Sequence, residues 1–128
     1  MKLQQTVLGV TFPNPTVLAS GIWGITASSW RKVAEGGAGG ITTKSLWIKE
    51  HLGHPNPTII STDHWTLNAV GLPDAGVEKA EQEITDYLKD KPTPLIGNIV
   101  AGSIDDFGKT AECIVKFKPD FLEVNISC

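Results

Sequence analysis

Cysteine is scarce in this 128-residue sequence, which contains only Cys113 and Cys128. The two cysteines form no C-x-x-C pair and no spacing typical of a zinc site. Such sparing use excludes a disulfide-stapled scaffold and favours a reducing compartment. We therefore expect a cytoplasmic protein.

Charge of one sign and long apolar runs are also lacking. The 11 basic and 14 acidic residues give a net charge of −3, without a basic run. We therefore expect no nucleic-acid partner and no attraction to an anionic membrane. The sequence also shows no membrane-spanning apolar stretch and no signal-peptide pattern. Small-molecule chemistry in one domain of this length is the better expectation.

The sequence does contain a regular set of strand patterns. Residues 3–12 alternate loosely and predict a hairpin that plugs one end of the fold. Four apolar runs bounded by turn residues predict buried strands, at 16–19, 40–45, 94–101 and from Phe121 onward.

Helical patterns separate these strands. The first is predicted over 28–35, with Ser28 as its N-cap, and the second over 75–89. The third begins at Ser103, which with Asp106 resembles a capping box. Strands that alternate with helices imply parallel pairing and right-handed crossovers. The predicted fold class is therefore α/β, the N-terminal half of an eight-stranded β/α (TIM) barrel with four parallel strands and three helices after a hairpin.

Residues 46–73 predict a long irregular connection of the kind that is usually functional or disordered. His51, His54 and His64 lie in it, but no cysteine or carboxylate pattern completes a metal site, so we expect no metal. Within this connection, residues 67–72 are apolar apart from one carboxamide and have the character of a lid over a polar ligand.

Two nucleotide-binding motifs are excluded. Glycines followed by Lys44 and Ser45 suggest a P-loop, but that motif needs glycine before the lysine and a helix after it. The turn after the first strand offers only Gly21-x-x-Gly24, which is not a dinucleotide fingerprint.

Polar side chains recur in or just after the latter part of the predicted strands. They are Ser20, Lys44, Asn98, Asn125 and Cys128. The active site of a β/α barrel lies at the carboxyl ends of its strands, so these residues predict one shared site. Individually, three of them have ordinary alternatives: Asn125 can cap a turn, Cys128 can be a buried packing residue, and Lys44 can snorkel at a strand edge.

Five short motifs occur together in order along nearly the whole chain. They are Ala19-Ser-Gly21, Thr43-Lys-Ser45, Leu67-Asn-Ala-Val-Gly-Leu72, Asn98-Ile-Val-Ala-Gly102 and Asn125-Ile-Ser-Cys128. In this set and spacing the chain resembles the dihydroorotate dehydrogenase family. The resemblance implies a barrel that holds FMN and oxidises dihydroorotate to orotate in pyrimidine (UMP) biosynthesis.

The resemblance also implies roles for individual residues. Those implied to contact FMN are Ser20, Gly21, Lys44, Ser45, Asn98 and Asn125. Those implied to hold dihydroorotate or orotate are Lys44, Asn68, Ala69, Val70, Gly71, Leu72 and Asn125. Cys128 would be the catalytic base and Lys44 would assist the chemistry. A cysteine at this position resembles the soluble class of the family.

Partners and extent follow from the same resemblance. The sequence is similar to the NAD-linked branch, whose partner subunit carries FAD and an iron–sulfur cluster, and we expect a homo-oligomer. Residues 1–128 are expected to be the N-terminal part of a single FMN-binding barrel domain. The 128 residues alone should be inactive, because such barrels generally build their phosphate site from the loops after strands seven and eight. The alternatives are a related flavin-dependent dihydropyrimidine dehydrogenase and a non-catalytic half-barrel.

Overall fold

The computed structural model describes residues 3–21 and 23–127. Three helices and eight short strands make up its regular structure. In chain order these are β1 (Gln5–Val7), β2 (Val10–Phe12), β3 (Val17–Leu18), α1 (Ala27–Glu35), β4 (Gly40–Thr42), β5 (Ile59–Ser61), β6 (Thr66–Asn68), α2 (Val77–Leu88), β7 (Leu95–Ile99), α3 (Ile104–Val115) and β8 (Phe121–Val124).

Four of the strands form one parallel sheet in the order β3-β4-β7-β8. Helices α1, α2 and α3 lie in the connections between successive strands of this sheet. Parallel pairing needs such crossovers, since a tight turn cannot return the chain to the same end of the sheet. The arrangement confirms the predicted α/β class and has the architecture of one half of an eight-stranded β/α barrel.

The core lies between this sheet and its helices. Ile41, Leu95, Ile99 and Ile114 are at most 1% exposed and belong to one buried cluster with residues from all three helices. Fully burying an aliphatic side chain of this size contributes about 1.5–3 kcal/mol to stability. The sheet is therefore the well-packed part of the fold, and the loops after its strands extend from it.

Helices α1 and α2 are joined by an aromatic pair and by an ion-pair cluster. Trp30 and Tyr87 meet edge to face with ring centroids 5.6 Å apart, and burial raises the pKa of the Tyr87 phenol. Arg31 donates to Asp86 at 2.7 Å and to Asp90 at 3.0 Å. Its hydrogen bonds hold the pKa values of both carboxyl groups below their usual range.

The N-terminal hairpin covers the amino ends of the parallel strands, as the sequence predicts. β1 and β2 pair antiparallel, and Phe12 at the end of β2 is only 7% exposed. Its ring stacks on Phe121, the first residue of β8, with centroids 5.9 Å apart. A Cβ atom on Gly40 would lie 2.8 Å from the Phe12 ring, so glycine makes room for the plug.

The predicted N-cap of α1 is wrong by two residues. Thr26 caps the helix in place of Ser28, because its hydroxyl accepts from the Ser29 amide at 3.2 Å and its backbone is extended. The Ser29 side chain reaches back to the Thr26 amide at 3.3 Å and completes a capping box. By contrast, Ser103 caps α3 as predicted, and its hydroxyl accepts from the Asp106 amide.

The stretch 46–73 is not irregular throughout, which corrects the prediction. It contains the antiparallel hairpin of β5 and β6, in which Ile59 pairs with Asn68 and Ser61 with Thr66. Strands of three residues joined by a short turn carry too few alternating positions to be recognised by period alone. Thr62 closes the turn, since its amide donates to the Trp65 carbonyl at 2.9 Å.

Two kinds of feature are absent from the described residues. None of their helices is long and apolar enough to cross a membrane. In the same part of the chain, no three His, Cys, Asp or Glu side chains come together in a way that could hold a metal ion.

We predict that Phe12→Ala destabilises the fold by about 3 kcal/mol, because it removes a buried ring and leaves a cavity at the amino ends of the strands. The measurement is the free energy of unfolding by chemical denaturation. Leu8→Ala is the control on the same hairpin, since Leu8 is 91% exposed; it should change stability by less than about 0.5 kcal/mol. Equal effects of the two substitutions would contradict the role of Phe12 as a plug.

Candidate active site

Three of the polar residues singled out in the sequence are joined by hydrogen bonds just beyond the strands. The Ser45 hydroxyl lies 3.2 Å from the Ser20 hydroxyl, and the Asn125 carboxamide donates to Ser45 at 3.2 Å. Ser20 follows β3, Ser45 follows β4 and Asn125 follows β8. Ser45, at 3% exposure, is therefore a buried connection between three loops that are far apart in the sequence.

Backbone hydrogen bonds that continue past the ends of β4 and β7 explain this convergence. The Leu46 amide donates to the Asn98 carbonyl at 3.0 Å, and the Val100 amide donates to the Leu46 carbonyl at 3.0 Å. On the other side, the Asn125 amide donates to the Ile99 carbonyl at 2.9 Å. These bonds keep parallel register beyond the named strands and hold Ser45 and Asn125 at one edge of the sheet.

Asn98 is a carboxamide inside strand β7 and is only 2% exposed. Its backbone amide donates to the Thr43 hydroxyl at 2.9 Å, and its side-chain NH₂ group donates to the Glu123 carboxylate. The second contact follows from the register, which places Asn98 opposite Glu123 on β8. The Asn98 carbonyl oxygen, Oδ1, is buried and has no hydrogen-bond partner among the described residues. A buried acceptor left in this state costs about 1–3 kcal/mol.

Lys44 lies between Thr43 and Ser45 and is half-buried. Its backbone amide donates to the Gly24 carbonyl at 2.7 Å, which ties the loop after β3 to the end of β4. No ion pair joins Lys44 to another of the described residues. It lines a cavity of about 190 Å³ together with Asp74 and Glu83. The Glu83 carboxylate accepts from the Ala27 amide at 2.7 Å, at the start of α1.

Residues 68–72, hereafter the 68–72 segment, begin at the last residue of β6 and cross the surface toward α2. The Ala69 amide donates to the Thr58 carbonyl at 2.8 Å, and the His54 amide donates to the Val70 carbonyl at 3.1 Å. Gly71 and Leu72 both have left-handed backbones, with φ of 78° and 51°. Leucine rarely adopts this conformation, so the surroundings must hold Leu72 in place.

The described structure brings some of the predicted residues together and leaves others apart. Leu72, Asn125 and Ser127 line one cleft of about 270 Å³. Gly21 lies beside Ser20 with φ of 98°, a conformation that suits glycine. Asn68 is exposed at the end of its hairpin, and within the described residues no hydrogen bond joins its side chain to Ser20, Ser45 or Asn125. Cys128 lies outside the described residues.

Two residues that the sequence does not single out form hydrogen bonds to residues of this site. Glu123 pairs with Asn98, and its position opposite Asn98 could have been anticipated only if the strand register were known. Trp47 donates from its indole N–H to the Leu72 carbonyl at 2.9 Å and lines the same cleft as Asn125. Trp47 belongs to no sequence motif. A single tryptophan after a strand is more often a packing residue, so the sequence gives no reason to assign it to the site.

We predict that Gly24→Ala displaces the loop after β3 from the end of β4. A Cβ atom at this position would lie 2.9 Å from the Lys44 nitrogen and 3.1 Å from the Thr42 oxygen, both of them backbone atoms that cannot easily move away. We expect a loss of about 1–3 kcal/mol in the free energy of unfolding and faster hydrogen exchange at the Lys44 amide.

The matched control for this substitution is Gly102→Ala. A Cβ atom at Gly102 meets no atom within 4 Å, and its backbone is not left-handed. Its free energy of unfolding should stay within about 0.5 kcal/mol of the unmodified protein. Unchanged exchange at Lys44 in the Gly24 variant would contradict the close approach.

Comparisons with known proteins give consistent results. The chain is 40% identical over 127 residues to a protein of Methanosarcina mazei described as "Dihydroorotate dehydrogenase B (NAD(+)), catalytic subunit"; the match covers 98% of this chain and 40% of that protein. A Methanocaldococcus jannaschii protein of the same description is 40% identical over 129 residues, covering 98% of this chain and 42% of its own length. The chain thus spans about two-fifths of the length of the curated relatives it matches.

A solved structure and a family model agree with these relatives. The crystal structure of DHODH from Eimeria tenella in complex with ferulenol matches with a TM-score of 0.80 and 25% sequence identity, covering 98% of this chain and 36% of that chain. The family model described as dihydroorotate dehydrogenase matches residues 2–128. With nearly every residue inside that match, the chain belongs to the dihydroorotate dehydrogenase family.

Proposed function

We propose that this chain supplies the first half of the active site of an FMN-dependent dihydroorotate dehydrogenase, which oxidises dihydroorotate to orotate in pyrimidine biosynthesis. The observation that carries the proposal is the hydrogen-bonded convergence of Ser20, Ser45 and Asn125 in a member of this family. Three loops that meet through side-chain hydrogen bonds at the carboxyl edge of a parallel sheet are where a β/α barrel binds its ligands.

The chemistry of the described residues fits a flavin mononucleotide. Ser20, Ser45 and Asn125 are neutral donors and acceptors, which suit the polar edge of a flavin ring. The Oδ1 atom of Asn98, which has no hydrogen-bond partner among the described residues, is an acceptor at the same edge of the sheet. A ligand that donates to it would remove the free-energy cost of leaving this buried oxygen unpaired. In this proposal Lys44, Gly21 and these four residues hold FMN.

The reaction removes a proton from C5 of dihydroorotate and a hydride from C6. FMN, when bound, supplies the acceptor for that hydride. Cys128 takes the C5 proton, because a cysteine thiol has an ordinary pKa of about 8.5 and nearby positive charge favours its thiolate. Lys44 supplies a positive charge to the site and stabilises negative charge that develops during oxidation. The carboxamides of Asn68 and Asn125 offer the donors and acceptors that a pyrimidine ring and its carboxylate require.

We further propose that the natural electron acceptor is NAD, reached through a partner subunit that carries FAD and an iron–sulfur cluster. The relatives from Methanosarcina mazei and Methanocaldococcus jannaschii are described as the NAD(+) type and as catalytic subunits, which supports a second subunit here. The proposal places the assembly in the cytoplasm and includes more than one copy of this chain, as a homo-oligomer.

The first test of the function is the substitution Cys128→Ala in the intact protein that carries this chain. It should leave flavin bound and slow dihydroorotate-dependent bleaching of the flavin about 10²–10⁴-fold, the usual cost of losing a general base. Cys113→Ala is the control, since Cys113 lies on α3, partly buried and packed against the core, and the flavin of this variant should bleach at the parent rate.

Two outcomes would contradict the proposal. Reduction of the Cys128→Ala flavin at the parent rate would reject Cys128 as the base. A parent protein that is bleached by dihydrouracil and not by dihydroorotate would assign the chain to another pyrimidine reaction.

The second test is Lys44→Ala, which should weaken orotate binding and also slow flavin reduction. Loss of one preorganised donor typically costs about 10²–10³-fold in rate. Stopped-flow reduction at several dihydroorotate concentrations separates the two effects. Lys116→Ala, at the exposed end of α3, removes the same charge far from the carboxyl edge and should change neither quantity. If Lys44→Ala matched that control, Lys44 would have no role beyond packing.

A further inference from the structure

We propose that Trp47 is a positioning residue that holds the 68–72 segment over the bound pyrimidine. The inference rests on the proposed function and deepens it, since the segment carries the residues proposed to contact dihydroorotate. The contact that motivates it is the hydrogen bond from the Trp47 indole N–H to the Leu72 carbonyl, 2.9 Å long.

Neighbouring residues hold both the backbone and the ring of Trp47 in place. Its backbone carbonyl accepts from the Val77 amide at 2.9 Å, at the first residue of α2. Its ring packs edge-on against His51, with ring centroids 4.2 Å apart. His51 in turn exchanges two backbone hydrogen bonds with Asp74, at 2.9 and 2.8 Å. The indole is therefore held in the hydrogen-bonded region between the end of β4 and the start of α2.

The segment that Trp47 contacts needs such support. Leu72 keeps a left-handed backbone with φ of 51°, which a leucine abandons unless its neighbours hold it. Among the described residues, the Trp47 bond is the one side-chain hydrogen bond made to the segment. Losing it would leave the Leu72 carbonyl without a partner and would allow residues 71 and 72 to relax.

The position of the indole connects this support to ligand binding. Trp47, Leu72 and Asn125 line the same cleft of about 270 Å³. A segment held at the wall of that cleft reduces the rate at which a bound pyrimidine escapes, and the Trp47 indole is not among the groups proposed to take a proton or a hydride from it. Trp47 should thus act on affinity far more than on the chemical step.

The test is Trp47→Phe in the intact protein, which keeps an aromatic ring and removes the N–H. We expect orotate binding, measured from the flavin absorbance, to weaken about 3- to 10-fold, as for the loss of one neutral hydrogen bond. The limiting rate of flavin reduction should stay within about twofold of the parent. Hydrogen exchange of residues 68–72 should become faster without ligand, a readout that needs no activity.

Trp65→Phe is the matched control, because Trp65 lies in the turn of the β5–β6 hairpin and is half-exposed. It should leave orotate binding and exchange unchanged. If Trp47→Phe does not fold, a tryptophan analogue in which sulfur replaces the indole N–H, placed at position 47, makes the same comparison at constant shape.

The outcomes separate this inference from the proposed function. The proposed function fails if the unmodified protein neither binds orotate nor reduces its flavin, and that result also removes the ground for this inference. The inference alone fails if the unmodified protein does both and Trp47→Phe behaves as Trp65→Phe does.

Discussion

Parallel backbone pairing that continues beyond the strand ends is the constraint on which this structure depends. The hydrogen bonds from Leu46 to Asn98 and from Val100 to Leu46 align the loops after β4 and β7. Without that alignment, Ser45 and Asn125, 80 positions apart in the sequence, would not share a hydrogen bond. The site is therefore a product of sheet register, and the side-chain bonds at Ser45 add precision to an edge that the backbone already defines.

The apolar plug and the cluster of polar side chains lie at opposite ends of the same sheet. The amino ends of the strands are covered by Phe12, stacked on Phe121, while the interior is filled by aliphatic side chains such as Ile41 and Ile99. The carboxyl ends carry the hydroxyl, amide and ammonium groups. Because the apolar end and interior supply the burial energy, the polar edge can hold groups that do not contribute to folding.

The polar edge holds such groups. Asn98 keeps a buried carbonyl oxygen without a partner among the described residues, and Leu72 keeps a left-handed backbone. Gly71 has no side chain because a Cβ atom there would meet His54 at 2.5 Å. The buried oxygen of Asn98 and the backbone of Leu72 each cost folding free energy, and a binding site for a polar ligand near this edge would explain why both are kept.

The sequence by itself determined the alternation of strands and helices, the parallel half-barrel, the plugging hairpin and the family, because these follow from apolar periodicity, turn residues and five ordered motifs. It also placed Ser20 and Asn125 at one edge, since residues after parallel strands share that edge, whereas Ser45 came only from the family resemblance. It could not give the hairpin of β5 and β6, whose strands of three residues are too short for a period to show. Nor could it choose Thr26 over Ser28 as a cap, because three hydroxyl residues, Thr26, Ser28 and Ser29, stand close together at the start of α1. Only the tertiary structure decided the partners of Glu123 and Trp47, because their hydrogen bonds to Asn98 and Leu72 bridge about 25 residues and depend on sheet register and loop path.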